Sequence, residues 1–211
     1  WKNRNTCEQK QSGYFNVQIK LALGDITSDK ARTVANIASK LAGGIIVNTV
    51  NQNMMIPWVK SETLSTFYAE LQKVDLHKAG TEEIRDITCC PGSETCNLGI
   101  TASRGLVKHL NEEMENGFPH SKELDHISIK ASGCPNSCGQ HHIASIGFHG
   151  GAKSTDTKTR KYKGLYKNTN IDIEKKINIL KNLKNFKGKT DNEIKQYITQ
   201  EQDKASNSKQ Y

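Results

Sequence analysis

Apolar residues alternate through Phe15, Val17, Ile19 and Leu21 in the stretch YFNVQIKLALG, which predicts a strand with one buried face. The period then lengthens. Thr27 or Ser28 can cap a helix whose Ala31, Val34, Ala35, Ala38 and Leu41 form one stripe, and Gly43-Gly44 stops it. IIVNTV predicts a second strand, and QNMMIPWV a third that ends at Pro57. Ser61 can cap a second helix, whose Leu64, Phe67, Tyr68 and Leu71 fall at i, i+3, i+4 and i+7. The order β-α-β-β-α predicts a ferredoxin-like α+β unit ending near Gly80.

Downstream, IRDITCCPGSETC predicts a short strand running into a loop that Pro91 and Gly92 keep from being helical. Leu98 to Asn116 predicts a helix with Leu106, Leu110 and Met114 on one stripe. HISIKAS and ASIGFHGG predict two further strands, the second closed by its glycines. Ile171 to Phe186 is amphipathic, and the polar end EQDKASNSKQY is expected to fray. The expected organisation is a half domain over 1–80, a second α+β domain over 81–155, and a basic, partly helical tail over 156–211.

Charge changes the picture only in that tail. Lys153 to Tyr211 holds 15 Lys and Arg against 7 Asp and Glu, while the rest of the chain holds 15 of each. The whole formal net charge of +8 therefore sits in the last part. Such a surface can attract an acidic protein, but the basic residues lack interleaved aromatics and any nucleic-acid motif, so no nucleic acid is expected as a partner. No run of about 18 apolar residues exists, so no membrane partner is expected either. The start, WKNRNTCEQKQSGYF, has neither an apolar leader nor an initiator Met, and the chain is expected to be a fragment.

Six cysteines without an export signal point to a reducing, cytoplasmic compartment, where thiols bind metals or catalyse more often than they form disulfides. Cys90 and Cys96 stand as C-x5-C, and Cys134 and Cys138 as C-x3-C about 40 residues later. Each pair follows a predicted strand and sits in a Gly/Pro loop, which lets backbone approach a bulky inorganic group and leaves N–H groups free to point at sulfur. Three readings stand on spacing alone. A disulfide framework suits the compartment poorly, a structural zinc favours C-x2-C knuckles, and four thiolates are what a [4Fe–4S] cluster requires. Cys89 and Cys7 read as incidental thiols.

CCPGSETCNLGI followed by SGCPNSCGQHHIASIGFHGG resembles the cluster- and siroheme-binding motifs of the ferredoxin-dependent nitrite and sulfite reductases. The earlier GDITSDKARTVANIASKLAGGIIVNTVNQNMMI is similar to that family's ferredoxin-like half domain, with Asn51 to Asn53 as in its second repeat. The resemblance spans about residues 10–152. It implies that Cys90, Cys96, Cys134 and Cys138 bind a [4Fe–4S] cluster, and that Cys138 also ligates siroheme iron. It further implies that Asn136 holds the siroheme edge, and Lys130 is placed to pair with a haem carboxylate. Turn-forming Asn and solvent-facing Lys are the plain alternatives, and His141, His142 and His149 read as ordinary histidines. Gln140 leans toward the nitrite-reducing branch.

Two departures from the family are expected to matter. Full-length members carry two repeats and this chain matches only the second, whereas the basic residues that grip the anion come from the first. After GGAKS the family continues with a glycine-rich strand over the siroheme, and here TDTKTRKYKGLYKN follows. The implied function is the C-terminal half of a six-electron reductase of nitrite or sulfite. Its implied partners are an acidic electron donor such as ferredoxin and the first repeat. The alternative is an electron-transfer or scaffold module without catalysis of its own.

Overall fold

In the computed structural model, residues 1–117, 127–154, 162–168 and 190 are described. They form two compact units, Trp1–Asp86 and Ile87–Tyr211. The amphipathic stretch 171–186 and the polar end lie outside the described residues.

The first unit opens with α1 (Lys2–Asn5) and β1 (Thr6–Glu8), followed by β2 (Tyr14–Ile19), α2 (Ser28–Leu41), β3 (Val47–Asn48), β4 (Met54–Lys60) and α3 (Leu64–Lys73). Its sheet is antiparallel in the order β1-β2-β4-β3. The alternation in β2 is realised as expected, with Phe15, Val17 and Ile19 buried against Val34, Ile37, Ala38, Phe67 and Leu71 from the helices. Thr27 caps α2, its hydroxyl accepting from the Lys30 N–H at 3.4 Å.

Four details differ from the sequence expectations. Strand β4 runs through Pro57 instead of ending there, because its register against β2 shifts between Phe15 and Val17. A bulge is one of the few places where a sheet tolerates a residue without an N–H. The following Trp58 takes φ 66 and donates its N–H out of the ladder to Gln9 Oε1. Ser61 opens a single 3-10 turn without a side-chain cap, and α3 starts at Leu64. In α2 the buried stripe includes Ile37, and Ala35 is exposed. The expected second strand shortens to Val47–Asn48 at the sheet edge, with Ile45 and Val47 left exposed.

Buried polar side chains pin the segment after α3 onto this sheet. Asn5 donates to the Gln18 and Lys78 carbonyls and accepts from the Gly80 N–H. Asn53, in the Asn51–Asn53 motif, accepts from the Leu21 N–H at 2.9 Å and donates to Asp86 at 2.7 Å. Burial pushes the Asp86 carboxyl above its ordinary range, opposed by the Glu82 N–H, by Lys20 and by the Asn53 amide.

The second unit contains β5 (Thr88–Cys89), α4 (Ser103–Gly117), β6 (Ile129–Ser132), β7 (Ile146–Ser154) and β8 (Tyr162–Asn168). Strands β5, β6 and β7 are parallel, and β8 closes the order β5-β6-β7-β8 antiparallel to β7. Helix α4 begins at Ser103, not Leu98, and Ser103 and Val107 are wholly buried. Ile100 and Thr101 are instead tied across to the second cysteine loop. Strand β7 continues through Gly150 and Gly151, and TDTKTRKYKGLYKN supplies β8, a strand the sequence pattern did not predict.

Candidate cluster site at the ends of the parallel strands

Parallel pairing puts the carboxyl ends of β5 and β6 side by side, with Cys89 opposite Ala131. Cys90 therefore leaves β5 at the level where Ser132, Gly133 and Cys134 leave β6. Its N–H donates to the Ala131 carbonyl at 3.1 Å. Both cysteine loops thus open from one edge of the sheet, the crevice where ligands of open α/β sheets are bound.

The loops are joined backbone to backbone through Gly133. Its carbonyl accepts from the Ile100 N–H at 2.9 Å, the Thr101 N–H at 3.0 Å and the Thr101 hydroxyl at 3.3 Å. Its own N–H donates to Cys90 Sγ at 3.1 Å. A Cβ on Gly133 would lie 2.7 Å from Gly92 Cα, and one on Gly150 would overlap the Gly133 carbonyl. Only glycine permits this approach. Within the first loop, Cys96 donates to the Gly92 carbonyl and Gly99 to the Cys96 carbonyl, each at 3.0 Å.

The second loop turns through Ser137 at φ 61 and Gln140 at φ 60, with the Gln140 N–H donating to the Ser137 carbonyl at 2.7 Å. Ser132, wholly buried, anchors it by accepting from the Gly139 N–H at 3.0 Å and bonding His141 Nδ1 at 2.9 Å. Lys130 shares that face of β6. It is buried, contrary to a solvent-facing lysine, and donates to Thr88 Oγ1 at 3.3 Å and Gln140 Oε1 at 3.4 Å. Asn136 is exposed at the loop tip. His141 is buried, with its ring tilted against that of His142 at 4.0 Å and stacked on that of His149 at 5.1 Å. Desolvation, reinforced by the charges of His142 and His149, lowers its pKa to about 4.

Of the four sequence-predicted ligands, Cys90 and Cys134 are buried and Cys96 and Cys138 exposed. Cys7 lies in the first unit at β1, away from both loops in sequence. Among the described residues no three His, Cys, Asp or Glu side chains are gathered for a single metal ion. A lone zinc would need sulfurs about 3.8 Å apart, from Zn–S bonds of about 2.3 Å. A [4Fe–4S] cluster would instead take four thiolates. The residues fit such a group: four unpaired thiols on two adjoining loops, glycines where backbone must approach, and an N–H already aimed at one sulfur. For siroheme the chain offers exposed Cys138 and Asn136, with exposed Leu98, Ile100 and Ile143 on the same loop segments. Sequence reasoning missed Ser103 and Ser132 and read His141 as an ordinary histidine, whereas buried polar contacts of all three hold the loops. A serine or histidine at a strand or helix end carries no such signal by itself.

The fold and loops define an iron–sulfur domain preceded by a ferredoxin-like half domain. Residues 8–74 match the nitrite/sulfite reductase ferredoxin-like half domain, and residues 80–188 match the nitrite and sulphite reductase 4Fe-4S domain. The chain belongs to the nitrite and sulfite reductase family, whose cofactors are a [4Fe–4S] cluster and siroheme. It is 30% identical over 146 residues to the chloroplastic ferredoxin–nitrite reductase of Arabidopsis thaliana, covering 67% of this chain and 24% of that one. It is 27% identical over 145 residues to the ferredoxin sulfite reductase of Mycobacterium tuberculosis, covering 68% and 26%. The solved structure of the Mycobacterium tuberculosis NirA protein superposes with a TM-score of 0.63 at 24% identity, covering 79% of this chain and 30% of that one. This chain spans about a quarter of the length of the curated relatives it matches. No helix among the described residues is long and apolar enough to cross a membrane.

Proposed function

We propose that this chain belongs to the C-terminal half of a ferredoxin-dependent, six-electron reductase that converts nitrite to ammonium or sulfite to sulfide. It is organised as a half domain over 1–80, a cofactor domain over 81–155 and a basic tail over 156–211, and works in the cytoplasm. Cys90, Cys96, Cys134 and Cys138 hold the [4Fe–4S] cluster, and Cys138 faces siroheme as well. When bound, the two cofactors supply electron storage and a site for the anion. The observation that supports this reading is the joining of the two cysteine loops through Gly133, whose carbonyl accepts from the Ile100 and Thr101 N–H groups and whose N–H donates to Cys90 sulfur.

The chain's own residues have distinct tasks. Gly133 donates its N–H to Cys90 sulfur, and such donors set the potential of a thiolate-bound centre. Exposure of Cys138 suits a thiolate shared with a second group outside the protein's interior. Lys130, held by Thr88 and Gln140 beneath the second loop, would pair with a cofactor carboxylate. Asn136 at the loop tip is available to the siroheme edge. The resemblance of Gln140 and its loop to the nitrite-reducing branch leans the reading toward nitrite. An acidic ferredoxin-type donor and the first repeat complete the working enzyme.

A second reading is an electron-transfer or scaffold module without catalysis of its own, in which the two joined cysteine loops hold a cluster alone. Absorption spectroscopy of anaerobically prepared protein separates the two. A siroheme band beside the broad cluster absorbance supports the reductase half, and cluster absorbance alone refutes it in favour of the module. The chain by itself is expected not to turn over either anion with reduced methyl viologen. Preorganised charge at the anion is worth about 10²–10³ in rate per donor, and in the resemblance that charge comes from the first repeat.

A further inference from the structure

We propose that Ser103 is a positioning residue for the cluster: its hydroxyl serves as a second hydrogen-bond donor to the Cys90 thiolate and raises the cluster's reduction potential. This rests on the reading that Cys90 is a cluster ligand. Ser103 is wholly buried at the first residue of α4, fixed by its N–H to the Thr101 carbonyl at 3.1 Å. Its Oγ stands 2.6 Å from the Cys90 carbonyl oxygen and 3.4 Å from Cys90 Sγ. A Cβ on Gly92 would overlap that hydroxyl, so the glycine at φ 61 also leaves the space in which it turns.

In the thiol form the protons run head to tail. The Ser103 O–H donates to the Cys90 carbonyl, which leaves Ser103 Oγ free to accept from the Cys90 S–H. Binding iron removes the S–H proton and leaves a sulfur that can only accept. The hydroxyl proton then turns from the carbonyl to the thiolate, because a hydrogen bond to an ionised acceptor is about twice as strong as a neutral one. Together with the Gly133 N–H at 3.1 Å, Cys90 sulfur then accepts two donors. When one electron enters the cluster from a low-potential one-electron donor, no bond forms or breaks. Negative charge on the cluster and its thiolates rises by one, and both donors stabilise that reduced state more than the oxidised one.

The test uses the 211-residue chain reconstituted anaerobically with iron and sulfide, and compares wild type with Ser103→Ala and Ser103→Thr. Iron and sulfide are counted, and the midpoint is read by redox titration followed by electron paramagnetic resonance. Ser103→Ala is expected to keep its iron while its reduced-to-oxidised ratio at fixed potential falls about tenfold, the worth of a hydrogen bond to a charged group. That is a shift of about 59 mV to more negative potential for one electron. Ser103→Thr, which retains the hydroxyl, should stay within about twofold of wild type. A Ser103→Ala midpoint within twofold of wild type, or a Ser103→Thr midpoint as low as that of Ser103→Ala, overturns the proposal. Should Ser103→Ala not fold, Ser103→Cys carries the test, since its S–H is a weaker donor. A shift in the same direction then supports the role, and an unchanged midpoint refutes it. A wild-type chain that takes up no iron overturns the cluster reading itself, and the Ser103 role with it.

Discussion

Replacing Gly139 by alanine tests whether the second cysteine loop is held as tightly as its backbone contacts indicate. A Cβ at this position would overlap the Ala131 carbonyl oxygen, lie 2.9 Å from its carbon and 3.0 Å from Ser132 Oγ. Ala131 cannot yield, because β6 is paired to β5 on one side and β7 on the other. The loop must therefore lift, and lifting breaks the Gly139 N–H bond to Ser132 Oγ. Overpacking a rigid site costs about 1–3 kcal/mol, and leaving a buried donor unmade costs about 1–3 kcal/mol more. The sum, about 2–6 kcal/mol, is a large share of a typical domain's stability of about 5–15 kcal/mol.

Both tryptophans, Trp1 and Trp58, lie in the first unit, so their fluorescence reports the wrong place. Amide hydrogen exchange along β6 and β7 is the suitable assay, with iron uptake measured beside it. Exchange there should quicken at least about thirtyfold, the equivalent of about 2 kcal/mol, and iron uptake should fall because Cys138 moves with its neighbour. Gly105→Ala in α4 is the control. Its Cβ meets only the Ala102 Cβ at 3.7 Å, so the substitution should stabilise the helix by about 0.4–1 kcal/mol. Exchange in Gly139→Ala within about twofold of wild type, with full iron uptake, would refute the claim that this loop has one fixed seat.

Acid should weaken the second unit through His141. With its folded pKa near 4 and an ordinary value of 6.5, the unfolded chain binds a proton between those pH values that the folded chain refuses. Stability contributed by this group is present above about pH 6.5, is lost as pH falls toward 4, and changes little below. The loss is on the order of 3 kcal/mol at about 1.36 kcal/mol per pKa unit. His141→Asn should flatten that part of the stability–pH curve, and an unchanged slope would contradict the assignment. Asn53→Ala leaves the Leu21 N–H without its acceptor and Asp86 without one donor. It should cost the first unit about 1–3 kcal/mol in tryptophan-monitored unfolding, and raise the Asp86 carboxyl further in an NMR titration. A stability change below about 0.5 kcal/mol would place Asn53 among ordinary surface residues.

The parts of this protein readable in the sequence are those whose signal is local. Alternation of Phe15, Val17 and Ile19 needs only a two-residue period and a buried face, and the strand formed where the pattern lay. The cysteine spacings, with their glycines and prolines, likewise announce loops, and loops follow β5 and β6 where those spacings lie. Pro57 misled because the bulge that admits it depends on the partner strand's register, which no neighbour of Pro57 encodes. The helix expected from Leu98 started later, because residues 99–101 spend their N–H groups on Cys96 and Gly133, partners fixed only when β5 and β6 pair. Gly150 looked like a strand end. It is instead the point where β7 passes against Gly133. Ser103 and Ser132 were silent for the same reason, since each acts through a residue 7 to 13 positions away across a loop.

The most direct test of the account is iron and acid-labile sulfide content after anaerobic reconstitution of six single cysteine-to-alanine variants. Wild type, Cys7→Ala and Cys89→Ala should each hold about four irons and four sulfides per chain. Cys90→Ala, Cys96→Ala, Cys134→Ala and Cys138→Ala should each lose the cluster or bind a degraded one with an altered paramagnetic signal. A full, spectroscopically unchanged cluster in any of those four, or its loss in Cys7→Ala or Cys89→Ala, would contradict the assignment of the ligands to the two loops joined at Gly133.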